Sequence, residues 1–357
     1  MKTEEGISQT RRPLSIGEIV AATGLSRATI DRIINKRPGV HRRTQEYVLR
    51  VMDGFEQGTP ASRQEPVGSR ETRHFELVIQ AGEAFTETLL EATEHVSKAE
   101  PGRATLRAVA SHSDEETVEL IRSLGKSSDG LALVSKDIEP IRASLSHLQA
   151  AGKPVAALVS DLETAARSAY VGIDDRAAGQ SAGFLLGRCL ERVPRAEVAV
   201  IVGIASYRCH EDREMGFRTL LRQRFPQIEL VEAIRGDESH EATYEAALRL
   251  LRKHPGISGI YNVTGGNDSL AQAIAHSDLS RRPLLVAHEV NRITTPLLKA
   301  GVIDFLITQG AETLIQKTRQ ILIELCSAGS SVRELNHVPF HVVTEFNLES
   351  GAGHPHA

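Results

Sequence analysis

The chain has 357 residues, with 41% hydrophobic and 25% charged side chains. That balance belongs to an ordinary soluble protein of two or three domains with a sizeable core, and it excludes fibrous and low-complexity classes. Net charge is −4 but uneven: between Arg11 and Arg50 nine bases face three acids, a net +6, which leaves −10 on the rest. A compact basic module on an acidic body points to a polyanion partner for that module alone. Cys189, Cys209 and Cys326 stand too far apart for a disulfide framework or a Cys-x-x-Cys zinc site. No apolar run approaches the roughly 18 residues of a membrane span. The start, MKTEEGISQTRRP, is polar where a secretory signal is apolar, so a cytoplasmic location with no membrane partner is expected.

The first elements in chain order are short helices. Ser15-Ile-Gly-Glu18 fits a capping box and opens a helix with Ile16, Ile19 and Val20 inward. Gly24 is placed to end it. Ser26 caps a second helix, Arg27 to Asn35, with Leu25, Ile30, Ile33 and Ile34 inward; a third, Thr44 to Gly54, adds Tyr47, Val48, Val51 and Met52. Helix, glycine turn and capped helix form a helix-turn-helix head over 12–57, whose second helix enters the DNA major groove. Arg27, Ala28, Thr29, Asp31 and Arg32 lie off the apolar stripe; an arginine can grip guanine bidentately and a small side chain can touch a thymine methyl. Residues 58–73, rich in Gly, Pro, Ser and charge, read as a linker.

From residue 74 onward apolar runs alternate with amphipathic stretches. Strands are expected at Phe75–Gln80, Leu106–Ala110, Gly130–Val134, Val155–Val159, Val198–Val202, Ile228–Ala233, Gly259–Tyr261, Leu284–Ala287 and Ile303–Thr308. Their near-continuous apolar character suits parallel strands covered on both faces. Helices are expected at Ala84–Lys98, Glu115–Leu124, Ala177–Arg192, His240–Lys253 and Glu312–Ser327. The strand count is high for one open sheet. The expected fold is therefore α plus α/β: a three-helix head linked to a module of two α/β subdomains with a cleft, over 74–346. The subdomains are expected at 74–174 with 309–335 and at 175–308 with 336–346, followed by a disordered tail, 347–357.

Ligands of open α/β sheets sit beyond the carboxyl ends of strands. That rule selects Glu83, Phe85 and Thr86, then Ser160 and Asp161, then the segment Ser206 to Glu211 with Arg208, His210 and Glu211. It also selects Thr264, Gly265, Gly266 and Asn267, then His288 and Glu289, and finally Gln309. Carboxylates and amides suit paired hydroxyls, and Phe85 offers a flat face to the C–H side of a sugar. His288 reads as a structural residue, and Asp114 and Asp174 as helix caps. Gly265-Gly266-Asn267 lacks the Gly-Lys-Ser/Thr of a nucleotide loop. With no nucleophile elbow or metal-ligand cluster, no catalytic residue, metal or cofactor is expected.

The stretch LSIGEIVAATGLSRATIDRIINKRPGVHRRTQEYVLRVM resembles the N-terminal domain of the lac repressor/gal repressor family. The resemblance implies that Arg27 and Ala28 read bases, with Arg32 a further reader. It also implies that Thr29, Asn35 and Val40–Arg43, including His41 and Arg42, face phosphates; Ser15 and Ser26 complete the DNA-facing set. Asp31 stands where the family has a serine, so a carboxylate there repels phosphate unless Arg27 or Arg32 pairs with it. The linker offers only Val67 where the family inserts a leucine into the minor groove.

Asp129–Val134, Ala151–Val159, Tyr170–Gly179 and Arg213-Glu-Met-Gly-Phe217-Arg are similar to the periplasmic sugar-binding fold that this family fuses to its head. The resemblance implies ligand contacts from Phe85, Glu289 and Gln309. Glu211-Asp212-Arg213 replaces the family's Arg-Glu-Arg, which passes the cleft's arginine role to Arg208 or His210. The implied protein is a homodimeric repressor of double-stranded operator DNA, tuned by a sugar, polyol or sugar acid. The alternative is a transport receptor of the same fold with no DNA role.

Overall fold

The computed structural model describes residues 72–99, 104–203, 207–235, 240–328 and 334–348, with Ile19, 27–35, Arg37, Gln45, Val48, Leu49 and Met52 before them. The chain divides into two compact units, Met1–Glu71 and Thr72–Ala357. Ser15, Ser26, His41 and Arg42, linker residues 58–71 with Val67, and residues 349–357 of the expected tail lie outside the described residues. Asn347, expected in that tail, closes a turn instead: its Oδ1 accepts from the Thr344 amide at 2.6 Å.

In the first unit α1 (Arg27–Ile34) buries Ile30 and Ile33 against Ile19 and Val48, with Met52 at the edge. Ile34, expected inward, is exposed at the margin of that face. Arg32 is exposed on the same helix. Among the described residues Asp31 pairs with Arg37, at 3.3 Å. The Asn35 side-chain amide donates to the Asp31 carboxylate at 2.8 Å and to its carbonyl at 3.0 Å.

The second unit holds two six-stranded sheets. Its strands are β1 (Arg73–Ile79), β2 (Ala104–Ala110), β3 (Gly130–Val134), β4 (Val155–Leu158), β5 (Ala169–Gly172), β6 (Glu197–Val202), β7 (Glu229–Arg235), β8 (Ile257–Asn262), β9 (Leu284–His288), β10 (Phe305–Thr308), β11 (Glu334–His337) and β12 (His341–Val343). Between them run α2 (Glu83–Ala99), α3 (Asp114–Ser127), α4 (Glu139–Ala150), α5 (Asp175–Leu190), α6 (Arg208–Arg224), α7 (His240–Lys253), α8 (Asn267–Ala275), α9 (Thr294–Lys299) and α10 (Ala311–Ala328). Every residue of β3 and β4 is buried, as expected of strands covered by helices on both faces.

The first sheet is ordered β11-β5-β4-β3-β1-β2 and the second β12-β10-β9-β8-β6-β7. In each, strand order reverses about its first strand, which opens a crevice at the carboxyl ends. The chain passes between sheets after β5, after β10 and after β11; Asn336 and His337, expected with the second subdomain, pair with Val171 and Gly172 in the first. β5, β11 and β12 were not expected as strands, nor α4, α6, α8 and α9 as helices. β11 and β12 are short, partly polar and lie at sheet edges, so they carry little apolar signal. Ser113, one residue before the expected Asp114, caps α3, while Asp114 meets Lys136 at 2.7 Å and Gln80 at 2.6 Å. Asp174 does cap α5, accepting from the Ala177 amide at 2.9 Å.

α5 and α6 cross backbone to backbone. A Cβ on Gly179 would lie 2.0 Å from the Arg213 carbonyl oxygen, and one on Gly216 would lie 2.1 Å from that of Arg176. Only glycine permits that approach. It brings Asp175, at the start of α5, onto Arg213 of α6.

Candidate functional site

The two crevices face each other across a cavity of about 320 Å³, within the usual range for small-molecule sites. The first subdomain contributes Ala81–Phe85 after β1, Val134 at the end of β3, and Val159 and Ser160 after β4. The second contributes Val263–Ser269 after β8, His288 at the end of β9 with Glu289, Asn291, Ile293 and Thr294 after it, Gln309 after β10 and one face of α6. Val159 and Glu289 follow the fourth strand of their sheets and both hold left-handed backbone, φ 67° and 64°. Side-chain-bearing residues rarely adopt it, and such strain clusters where a structure positions a ligand.

Of the sequence-predicted contacts, Glu83, Phe85, Ser160, His210, Thr264, Gly265, Gly266, Asn267, Glu289 and Gln309 line the cavity. Four do not. Thr86 is buried one turn inside α2, where its hydroxyl donates to the Ala81 carbonyl at 3.2 Å. Asp161 turns to the buried Arg167, which donates Nη2 to it at 2.8 Å, and so fastens the turn after β4. Arg208 and Glu211 are exposed on α6, whose inward face is Cys209, Arg213, Gly216 and Phe217. The segment was expected only beyond the end of a strand; as a helix it turns about 100° per residue, which carries Arg208 and Glu211 outward and Arg213 inward. Arg213 was not among the expected contacts, although the Cys209, Arg213, Gly216, Phe217 spacing marks one helical face. His240 and Asn291 also join the wall unanticipated, Tyr207 joins it from the selected segment, and His288 lines it despite its structural reading.

Arg213 anchors the wall. Its Nε donates to Asp175 Oδ1 at 2.7 Å and its Nη1 to the Val263 carbonyl at 3.2 Å. Burial pushes the Asp175 carboxyl up to about 7, against the pull of Arg213. Burial also opposes the charge of Arg213, but Asp175 foremost among its neighbours holds the guanidinium protonated.

Glu289 forms the floor with Gln309. Its carboxylate accepts from Gln309 Nε2 at 2.9 Å, from the Thr308 hydroxyl at 3.0 Å and from the Gln309 amide at 3.4 Å. Burial raises its pKa, opposed by Arg213 and these donors. Beside it His288 shares a 2.7 Å hydrogen bond between Nε2 and the Tyr261 hydroxyl. Burial, then the positive field of Arg213 and His210, drives the His288 pKa well below its ordinary value, so the imidazole is neutral. Burial likewise raises Tyr261, which remains a phenol.

Contacts also cross the cleft. The Tyr207 hydroxyl donates to the Gln80 carbonyl at 2.8 Å, and Arg292 bridges Glu83 at 3.0 Å and Glu87. The arrangement can fix an oxygen-rich small molecule between fixed donors and acceptors. Among the described residues no His, Cys, Asp and Glu group could hold a metal ion, and no helix is long and apolar enough to cross a membrane.

Residues 77–330 match the model of the periplasmic binding protein domain. The chain belongs to the periplasmic binding protein family. Its two-subdomain α/β architecture is that of the family. Among solved structures it resembles GanP, a glucose-galactose binding protein from Geobacillus stearothermophilus, at 20% identity and TM-score 0.69, covering 78% of this chain and 99% of that one. It also resembles an ABC transporter solute-binding protein from Burkholderia graminis in complex with D-arabinose, at 20% identity and TM-score 0.70, covering 78% and 97%. A putative LacI transcriptional regulator from Bacteroides fragilis matches at 16% identity and TM-score 0.67, covering 78% and 98%. At these identities the likeness establishes the fold. No curated relative matches the chain.

Proposed function

We propose that the protein is a DNA-binding transcription regulator, a repressor whose grip on its operator changes when a small carbohydrate occupies the cleft. The observation that carries this reading is the net +6 of residues 11–50 around α1, whose apolar face is buried while Arg32 stays exposed. A receptor that only carries a solute has no use for such a head. The sugar ligands named for the GanP and Burkholderia structures support a carbohydrate in the cleft, and the putative LacI transcriptional regulator from Bacteroides fragilis shares this fold. The protein acts in the cytoplasm as a homodimer, two heads meeting a near-palindromic operator. Closing the cleft rotates one subdomain against the other and alters head spacing. The proposal includes no catalytic step, metal or cofactor.

A second reading, a solute receptor without a DNA role, is favoured by the sugar-binding proteins among the structural neighbours. Fluorescence anisotropy separates the two. A duplex carrying the best palindrome beside the gene should bind about 10³-fold or more tighter than its scrambled version. Arg32→Ala should cost about 1–3 kcal/mol of that affinity. Equal affinity for both duplexes leaves the receptor reading.

A further inference from the structure

β9 ends in Leu-Leu-Val-Ala-His, and its last four positions are buried. His288 therefore holds a place where an apolar side chain would satisfy packing. It lies against Tyr261, ring centroids 5.6 Å apart, and Tyr261 in turn lies 4.8 Å from Phe217. A buried imidazole needs both nitrogens satisfied. Nε2 meets the Tyr261 hydroxyl, but Nδ1 is buried with no partner, as is Oε1 of Gln309 on the neighbouring strand end. Both residues line the cleft, and Ile307, two residues before Gln309, pairs with His288 across β9 and β10.

The wall around them carries three carboxylates and one guanidinium. Glu83, Asp268 and Glu289 line the wall; Arg292 pairs with Glu83 and Asp175 with Arg213, which leaves Glu289 held by neutral donors. The Glu289 carboxylate accepts three donors, which suits its ionised form.

Resting on the reading of the cleft as an effector site, we propose that His288 is its specificity-determining residue. Held through Nε2 by Tyr261, it presents Nδ1 to a ligand hydroxyl beside Gln309 Oε1, and the Glu289 carboxylate restricts the ligand to uncharged polyhydroxylated rings. An anionic sugar would set a second negative charge against Glu289 in a low-dielectric cleft with no unmatched guanidinium among its described residues.

Calorimetric titration of the full chain with D-galactose, D-arabinose, myo-inositol and D-galacturonate tests this. At least one neutral compound binds, and D-galacturonate binds 30-fold or more weakly than D-galactose. Asparagine places its terminal amide near the position of Nδ1 and glutamine near that of Nε2. His288→Asn therefore keeps affinity for the best neutral ligand within 10-fold, whereas His288→Gln and His288→Phe lose 50-fold or more with melting temperatures near the parent's. A role confined to holding Tyr261 predicts the reverse order, with Gln retaining affinity and Asn losing it, and that order overturns the proposal. D-galacturonate binding as tightly as D-galactose also overturns it, as does binding of none of the neutral compounds. Should His288 variants not fold, Tyr261→Phe keeps the imidazole and removes only the hydroxyl; a 5-fold or greater loss of affinity is expected, and unchanged affinity overturns the positioning. Operator binding is measured on the same samples. Selective sugar binding without operator preference sinks the regulator reading alone, and operator preference with galacturonate as the tightest ligand sinks this inference alone.

Discussion

Arg213→Met should destabilise the second unit by about 3–5 kcal/mol, because removing one partner of a buried ion pair leaves the other charge uncompensated. Arg213 is 4% exposed and Asp175 8%, so water cannot take the place of the missing guanidinium. For a unit of this size the shift in melting temperature is on the order of 10 °C. The pH dependence gives the loss a signature. Asp175 has a folded pKa of about 7, above its unfolded value near 4. A carboxyl raised on folding adds stability at low pH that disappears as pH climbs through its folded pKa. Without Arg213 that pKa rises further. The deficit of the variant should then widen by roughly 1.4 kcal/mol per pH unit above about pH 7 until the new pKa is passed. Thermal unfolding from pH 6 to 9 measures this, and a deficit independent of pH would contradict it.

The double variant Asp175→Asn with Arg213→Met separates structure from binding. Stability should return by most of the loss, since neither side chain then carries a buried charge. Sugar affinity should not return, because the cleft has lost its guanidinium; a charge-assisted hydrogen bond contributes roughly 1.5–3 kcal/mol, or about 10- to 150-fold in affinity.

Which parts of this site the sequence discloses follows from how each residue is positioned. Glu289 and Gln309 stand directly after β9 and β10, whose apolar runs are unmistakable, so the rule about strand carboxyl ends reaches them. Phe85 and Ser160 are reached in the same way after β1 and β4. Arg213 is not, because it acts from a helix that hides its own signal. α6 reads RCHEDREMGFRTLLRQR, with few apolar residues on its inward face. One inward position is Gly216, where packing is done by the backbone of α5. Arg208 and Glu211 look equally suited to a ligand in sequence, and only the helical phase turns them outward. Asp161 and Thr86 fail for another reason: short-range hydrogen bonds to Arg167 and the Ala81 carbonyl occupy them first, and residue type alone carries no trace of that. The fold itself was more legible than the site, since strands buried on both faces write their burial as unbroken apolar runs. β11 and β12 escaped because each is only three or four residues long and partly polar.

Gly179→Val should be among the most damaging single changes in the chain, although valine is small and the site is buried among helices. Its Cβ would lie 2.0 Å from the carbonyl oxygen of Arg213, a backbone atom that no rotamer change can move. Relief requires α5 and α6 to separate by more than 1 Å, a larger shift than the adjustments through which overpacking of a well-filled core typically costs about 1–3 kcal/mol. A loss above about 3 kcal/mol is therefore expected. Because Asp175 and Arg213 ride on these two helices, separation also lengthens their 2.7 Å hydrogen bond, so sugar affinity should fall together with stability. Gly256→Ala is the control: a Cβ there meets nothing within 4 Å, and its cost should stay below about 1 kcal/mol with sugar affinity unchanged. If Gly179→Val melted with the parent and bound sugar equally well, close helix contact would not be what holds the arginine in the cleft wall.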